Sequence, residues 1–225
     1  MIGLELINEP WPGNLYENPL VMVPGLSEKF HLQHAYDYLS QEIRSVDPEQ
    51  NICFEPVTWL NNFESGFIHP PGGFKYSNSS IFCYHYYNPP TFVPEKFMKA
   101  RLKDVKKLKS AGILSEFYII NKEGEKNVEI MDLCDQYSHS WFGWLYNPSP
   151  SDYIIPQIIR TFSHRVSGNI IDQRFSETSK FYSLIFHYDK GSGDTIIFIN
   201  KERNYKNGNF LIIQDTGFNC IQKRK

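Results

Sequence analysis

The spacing of five short segments constrains this chain most. Each runs β-branched, aromatic or aliphatic residues into polar or aromatic ones: Gly3–Asn8, Asn51–Val57, Ser80–Tyr87, Gly112–Ile119 and Ser138–Leu145. Their starts are 48, 29, 32 and 26 residues apart. Between them lie stretches of helical period. Leu32, Tyr36, Leu39, Ile43 and Val46 form one apolar stripe, and Met98, Leu102, Val105 and Leu108 form another. Lys96, Lys99, Lys103, Lys106 and Lys107 occupy the other faces of the second stretch, which reads as a solvated face rather than a patch for anionic membrane. Alternating strands and helices mean a parallel sheet. Eight strand–helix units in about 250 residues need about 31 residues each, so five fit into residues 1–168. The expected fold is α/β, a partial (β/α)8 TIM barrel. The long first step holds a Pro/Gly/Asn-rich stretch, Pro10 to Gly25, read as an elaborated loop after the first strand.

Ile155, Ile159, Phe162 and Val166 line one face of an expected closing helix, with Gly168 as its C-terminal cap. Beyond it the texture changes. Phe181–Tyr188, Thr195–Asn200 and Asn209–Gln214 read as short antiparallel strands separated by the turn signals 190–194 and 206–208. The expectation is a barrel portion over residues 1–168 and a small all-β sandwich-like module over 169–225.

Composition removes several functions. With 23 basic against 25 acidic residues the chain lacks the balance of a general nucleic-acid binder. No apolar run reaches the ~18 residues of a membrane span. The start, Met1 to Pro10, carries Glu5 and Glu9 and no basic run, so no signal peptide is read there. Cys53, Cys83, Cys134 and Cys220 form no CxxC pair and read as buried thiols rather than a zinc site or disulfide framework. No HExxH occurs, and His31 and His34 belong on a helix surface. Aromatic residues are the biased class, with 17 Phe, 14 Tyr and 4 Trp. They suit a core, a sugar-stacking cleft, or both.

In a parallel barrel the active site lies at the carboxyl ends of the strands. Here those ends read Asn8-Glu9-Pro10-Trp11, Glu55-Pro56-Val57-Thr58-Trp59, Tyr84-His85-Tyr86-Tyr87, Ser115-Glu116-Phe117 and Trp141-Phe142-Gly143-Trp144. Carboxylates, an Asn, a His, tyrosines and tryptophans form a sugar-handling set. Glycoside cleavage needs two carboxyl groups flanking the anomeric carbon, about 5–5.5 Å apart in retaining enzymes. Glu9 and Glu116 are 107 residues apart and meet only if the chain curls into a barrel. Each residue also has a plainer reading: a strand-end Glu as a loop charge, Asn-Glu-Pro as a turn, the tyrosines and tryptophans as packing. Glu55, with no Asn before it, reads as structural or supporting. The five elements in one order outweigh any single one.

Gly3-Leu4-Glu5-Leu6-Ile7-Asn8-Glu9-Pro10-Trp11 resembles the acid/base strand of glycoside hydrolase family 5. Together with Phe54–Thr58, Pro71-Gly72-Gly73, Tyr84–Tyr87 and Ser115-Glu116-Phe117, it resembles the endoglycoceramidase branch. Arg160-Thr161-Phe162 through Gly168 is similar to that branch's passage from barrel to C-terminal β-sandwich. The resemblance implies a retaining hydrolase of the glycan–ceramide bond of glycosphingolipids. It makes Glu9 the acid/base and Glu116 the nucleophile, and puts Asn8 at the sugar 2-hydroxyl. His85 and Tyr87 match the family's His-x-Tyr, and Trp144 the eighth-strand tryptophan, ahead of Trp141. Ser115 stands where the branch often has Thr, and Gly143 where a larger residue is expected.

The Asn-Glu-Pro strand is the fourth of the family barrel and begins here at residue 3. The resemblance therefore implies strands four to eight, without strands one to three, their basic residue and their histidine. The roles call for no metal or organic cofactor. The implied partner is a glycosphingolipid or other glycolipid, with peripheral contact to a membrane or micelle and no nucleic acid. The aromatic loops 67–74 and 86–92 are expected to hold a lipid chain. Two other readings stand beside this one: a β-glucosidase acting on glucosylceramide or steryl glucoside, and an inactive truncated fragment or glycan-binding protein. A secreted or lysosomal-type location follows from the resemblance, and Asn78-Ser79-Ser80 fits an N-glycosylation sequon.

Overall fold

The computed structural model describes residues 2–58, 62–119, 124–145 and 158–205. Five parallel strands make one sheet in chain order: β1 (Leu4–Glu5), β2 (Ile52–Phe54), β3 (Ser80–Tyr86), β4 (Ala111–Phe117) and β5 (Ser140–Trp141). Helices α1 (Gln33–Val46), α2 (Pro94–Leu108) and α3 (Gly124–Gln136) supply crossovers. The strand–helix alternation of the sequence is thus realised as a portion of a barrel.

β3 is buried on both faces, and its alternation divides two environments. Phe82, Tyr84 and Tyr86 face the helices, where they pack with Phe54, Leu114 and Phe117 of the neighbouring strands. Tyr36 of α1, Phe97, Met98 and Leu108 of α2, and Ile130, Met131 and Cys134 of α3 complete this core. Many of the aromatic residues are spent here: Tyr36, Phe54, Phe67 and Phe82 meet mostly edge to face at centroid distances of 5.4–6.4 Å. Phe67, expected on a lipid-holding loop, is therefore a core residue, as is Tyr86; Ile68, Phe74 and Phe92 of the same loops are exposed. On the concave face Cys53, Ile81, Cys83 and Ile113 form a smaller cluster. Cys53, Cys83 and Cys134 are buried free thiols; Cys220 lies outside the described residues.

The lysines of α2 are on its exposed side, while Arg101 and Asp104 are fully buried on the other and pair at 3.1 Å. Asp104 also accepts from the main-chain N–H and hydroxyl of Ser65, both at 2.8 Å, and Arg101 donates to the carbonyl of Phe63. α2 thereby holds the β2–β3 connection. The stripe read for α1 is only partly its buried face. Val46 is exposed, and Gln33, Ser40 and Arg44 are buried with Tyr36. The polar three face a loop: Arg44 donates to the carbonyls of Pro71 and Ser79, and Gln33 accepts from Ile68 N–H.

His139, after α3, lies against Gly112 of β4, where any side chain would collide with its ring. Its Nδ1 is 2.5 Å from the Tyr84 hydroxyl, and burial pushes its pKa down to about 4. The folded state thus holds the neutral ring, and the unfolded chain takes up the proton first. Stability from this ring is complete above pH 6.5 and is lost as pH falls toward 4. Urea unfolding is expected to show wild type losing about 2–3 kcal/mol more than His139→Gln between pH 7 and 4.5. Parallel losses in the two proteins would rule this out.

Over 158–166, the described part of the closing helix read from the sequence, no such helix forms. Phe162–Arg165 is a strand, β6, antiparallel to β9 (Ile196–Phe198); residue 155 lies outside the described residues. The periodicity of four apolar residues is overridden by cross-strand partners: the Phe162 and Phe198 rings stand 5.1 Å apart, and Gln173 accepts from Ser163 N–H. Gly168 caps no helix. It opens β7 (Gly168–Ser176) at φ +136°, where a Cβ would fall 1.9 Å from the carbonyl oxygen of His187. β7 pairs antiparallel with β8 (Phe181–Tyr188), as expected for 181–188. The expected strand 209–214 and the turn 206–208 lie outside the described residues. Buried Arg160 ties this region to α3 through Asp135 at 2.9 Å and through Asp132, with its guanidinium 5.7 Å from the Phe175 ring. Among the described residues no helix is long and apolar enough to cross a membrane.

Candidate active site

The ends of β1, β2, β3 and β4 converge on one histidine. His85 projects from β3 to the concave face and is almost fully buried. Its Nδ1 is 3.0 Å from Oε1 of Glu9, and its Nε2 is 2.7 Å from Oε1 of Glu55 and 3.9 Å from Oε2 of Glu116. Burial alone would pull its pKa down. The hydrogen bond and charge of Glu55, the hydrogen bond of Glu9 and the charge of Glu116 outweigh this and push it up to about 9. At neutral pH the ring is an imidazolium with each nitrogen paired to a carboxylate oxygen.

Glu9 follows β1 with its backbone at φ +48°, a left-handed conformation uncommon for glutamate. Its N–H donates to Oε2 of Glu55 at 3.1 Å, which helps hold that turn. Glu116 reaches the cluster through an irregularity in the ladder. Tyr84 pairs with Leu114, but His85 pairs with Glu116, so Ser115 is the extra residue of a β-bulge. Without the bulge Glu116 would alternate outward with Leu114; with it, Glu116 shares the concave face with His85. One ligand-type atom each of Glu9, His85 and Glu116 lie within 4.8 Å of one another, as do those of Glu5, Glu55 and His85. Either trio has donors of the kind that hold a divalent cation, and either trio equally shares protons. The Tyr87 hydroxyl donates to Oε1 of Glu116. Burial first, then the hydrogen bond and charge of Glu116, hold that phenol well above its ordinary range.

Trp144 and Trp141 separate clearly. Trp144 is half exposed and continues the sheet past β5: its N–H donates to the Phe117 carbonyl at 2.7 Å, and its carbonyl accepts from Ile119 N–H at 3.1 Å. Trp141 packs edge-on against Phe117 at 5.7 Å, on the helix side. Tyr118 forms a parallel backbone bridge with Trp144, and its ring meets Tyr87 edge to face at 4.5 Å. Asn8 is exposed immediately before Glu9. Of the residues read from the sequence, Glu9, His85, Tyr87 and Glu116 are thus in direct contact or within a few ångströms, and Trp144 lies beside Tyr118 on the neighbouring segment. Tyr118 was missed, although it lies two residues past Glu116. Glu5 was missed as well. It shares a hydrogen bond with Glu55, and burial followed by that bond and the charge of Glu55 pushes its pKa up to about 7.

Comparison with known proteins agrees with this architecture. The chain is 38% identical to an endoglycoceramidase of Hydra vulgaris over 92% of its own length and 44% of that protein. Its fold matches endo-glycoceramidase II from a Rhodococcus species in complex with ganglioside GM3, with a TM-score of 0.70 at 16% identity, covering 88% of this chain and 49% of that one. The same Rhodococcus protein as a lactosyl-enzyme intermediate matches at 0.68 and 16%, covering 90% and 49%. The chain thus spans about half the length of the relatives it matches. A partial barrel with two carboxylates at its strand ends, matched over residues 1–150 by the model for cellulase (glycosyl hydrolase family 5), leads to one conclusion: this chain belongs to glycosyl hydrolase family 5.

Proposed function

We propose that this chain carries the catalytic pair of a retaining glycoside hydrolase that releases the glycan from the ceramide of glycosphingolipids. The observation that carries the reading is the approach of Glu9 and Glu116, whose carboxylate oxygens come within 4.8 Å of each other. This approach supports a retaining reading, in which the carboxyl groups stand about 5–5.5 Å apart, over an inverting one, in which they stand about 6.5–9.5 Å apart. Glu116 attacks the anomeric carbon while Glu9 gives its proton to the departing ceramide oxygen. Glu9 then takes a proton from water, whose oxygen displaces Glu116 from the sugar. The Tyr87 hydrogen bond on one oxygen of Glu116 orients the other. Asn8 is placed for the sugar 2-hydroxyl, and Trp144 offers an exposed ring for the sugar face. The Rhodococcus relative's lactosyl-enzyme intermediate supports retention, and that relative's ganglioside GM3 complex and the Hydra endoglycoceramidase support a glycosphingolipid substrate.

The test is product analysis of purified protein on a glycosphingolipid with at least two sugars. Intact oligosaccharide in the β configuration, with free ceramide, is the expected result. Release of single glucose units would replace the reading with a β-glucosidase. Binding without turnover would reduce the chain to a glycan-binding protein.

A further inference from the structure

The buried carboxylate Glu55 has a place in this site that the two-carboxylate mechanism does not use. It is 1% exposed, among the most buried charged side chains of the concave face. One oxygen accepts from the N–H of Glu9 and the other faces Nε2 of His85. The Tyr36 hydroxyl from α1 donates to its main-chain carbonyl at 3.1 Å, so helix and strand fix it from below. Its remaining neighbours are Glu5 on β1, which shares a hydrogen bond with it, and Cys83 on β3, which hydrogen-bonds Glu5 and Cys53. His85 is faced by Glu9, Glu55 and Glu116, with the Tyr87 ring 6.4 Å away.

The Glu9 turn and the His85 ring both lean on this one carboxylate. Without it the Glu9 N–H loses its acceptor, and the ring that reaches Oε1 of Glu9 loses its nearest carboxylate on the opposite side. We propose that Glu55 is a positioning residue with two tasks: it holds the left-handed turn at Glu9, and it holds the His85 ring against Glu9, so that the acid/base carboxyl is aimed at the leaving oxygen. Glu5, which shares a hydrogen bond with Glu55, supports it from β1. The proposal rests on Glu9 being the acid/base.

The test uses active enzyme and two substrates with the same sugar. A glycolipid or alkyl glycoside needs protonation of its leaving group; a glycosyl fluoride does not. For Glu55→Gln, kcat/KM on the first is expected to fall about 10²-fold, at least tenfold more than on the fluoride. The loss on the glycolipid falls on kcat with KM unchanged, as for a misplaced acid in an intact cleft. Glu5→Gln gives the same pattern with a smaller loss, and serves alone if Glu55→Gln does not fold. Equal losses on both substrates would overturn the proposal. Glu9→Gln is the separate control: if it does not discriminate between the two substrates, the acid/base assignment itself fails, whatever Glu55 does.

Discussion

Replacing Glu116 by Gln is expected to lower kcat on a glycosphingolipid by roughly 10⁴-fold or more, a barrier increase of about 5.5 kcal/mol. The amide keeps the shape of the carboxylate and still accepts from Tyr87, so the cleft stays built while the attacking oxygen is lost. His85 loses one of three carboxylate neighbours, the one at 3.9 Å, and keeps the two closer ones. Azide separates the roles of the pair on an activated aryl glycoside. With Glu116→Gly it enters where the carboxylate stood and gives an azide of inverted configuration. With Glu9→Ala it attacks the glycosyl-enzyme and gives one of retained configuration. Product stereochemistry by NMR reads this directly. Residual activity within tenfold of wild type in Glu116→Gln, or the two stereochemical outcomes exchanged, would remove the assignment.

The largest expected effect on stability lies away from the site. Asp104→Ala should destabilise the fold by about 3–5 kcal/mol, because it takes the nearest carboxylate from a fully buried guanidinium. The same change leaves the N–H and hydroxyl of Ser65 without their acceptor. Tm is expected to fall by roughly 10 °C. The double variant Arg101→Met, Asp104→Leu should recover most of the loss, since an apolar pair of similar volume is often no worse than a buried ion pair. Equal stability of Asp104→Ala and wild type in urea would show that the pair contributes nothing net. A double variant as unstable as the single one would show that hydrogen bonding to the 63–65 loop, rather than the orphaned charge, dominates.

Several features of the site are legible in the chain because local chemistry announces them. Asn8-Glu9-Pro10 follows a short apolar strand, His85 and Tyr87 alternate on one face, and Glu116 ends a strand of the same texture. Other features are not. Phe67 lies among loop residues, but its ring fills the space between Tyr36, Phe54 and Phe82. Phe162 matches a helical period, yet pairing with β9 decides its conformation. Trp141 and Trp144 are equivalent as letters, and only β5 turns one toward the helices and leaves the other exposed.

By itself the chain determined the alternation of strand and helix, the order of strand ends and the residue types delivered there. These depend on spacing and propensity, which are local. Which groups touch was decided by the tertiary structure. The bulge at Ser115 turns Glu116 inward, and it exists only as a mismatch between β3 and β4. Glu5 and Glu55 became a carboxyl pair behind His85 only when three strands lay side by side in parallel register. The physical reason is common to both cases. A side chain's neighbours across a sheet are set by hydrogen-bond register between strands far apart in sequence, and strand texture carries no record of that register.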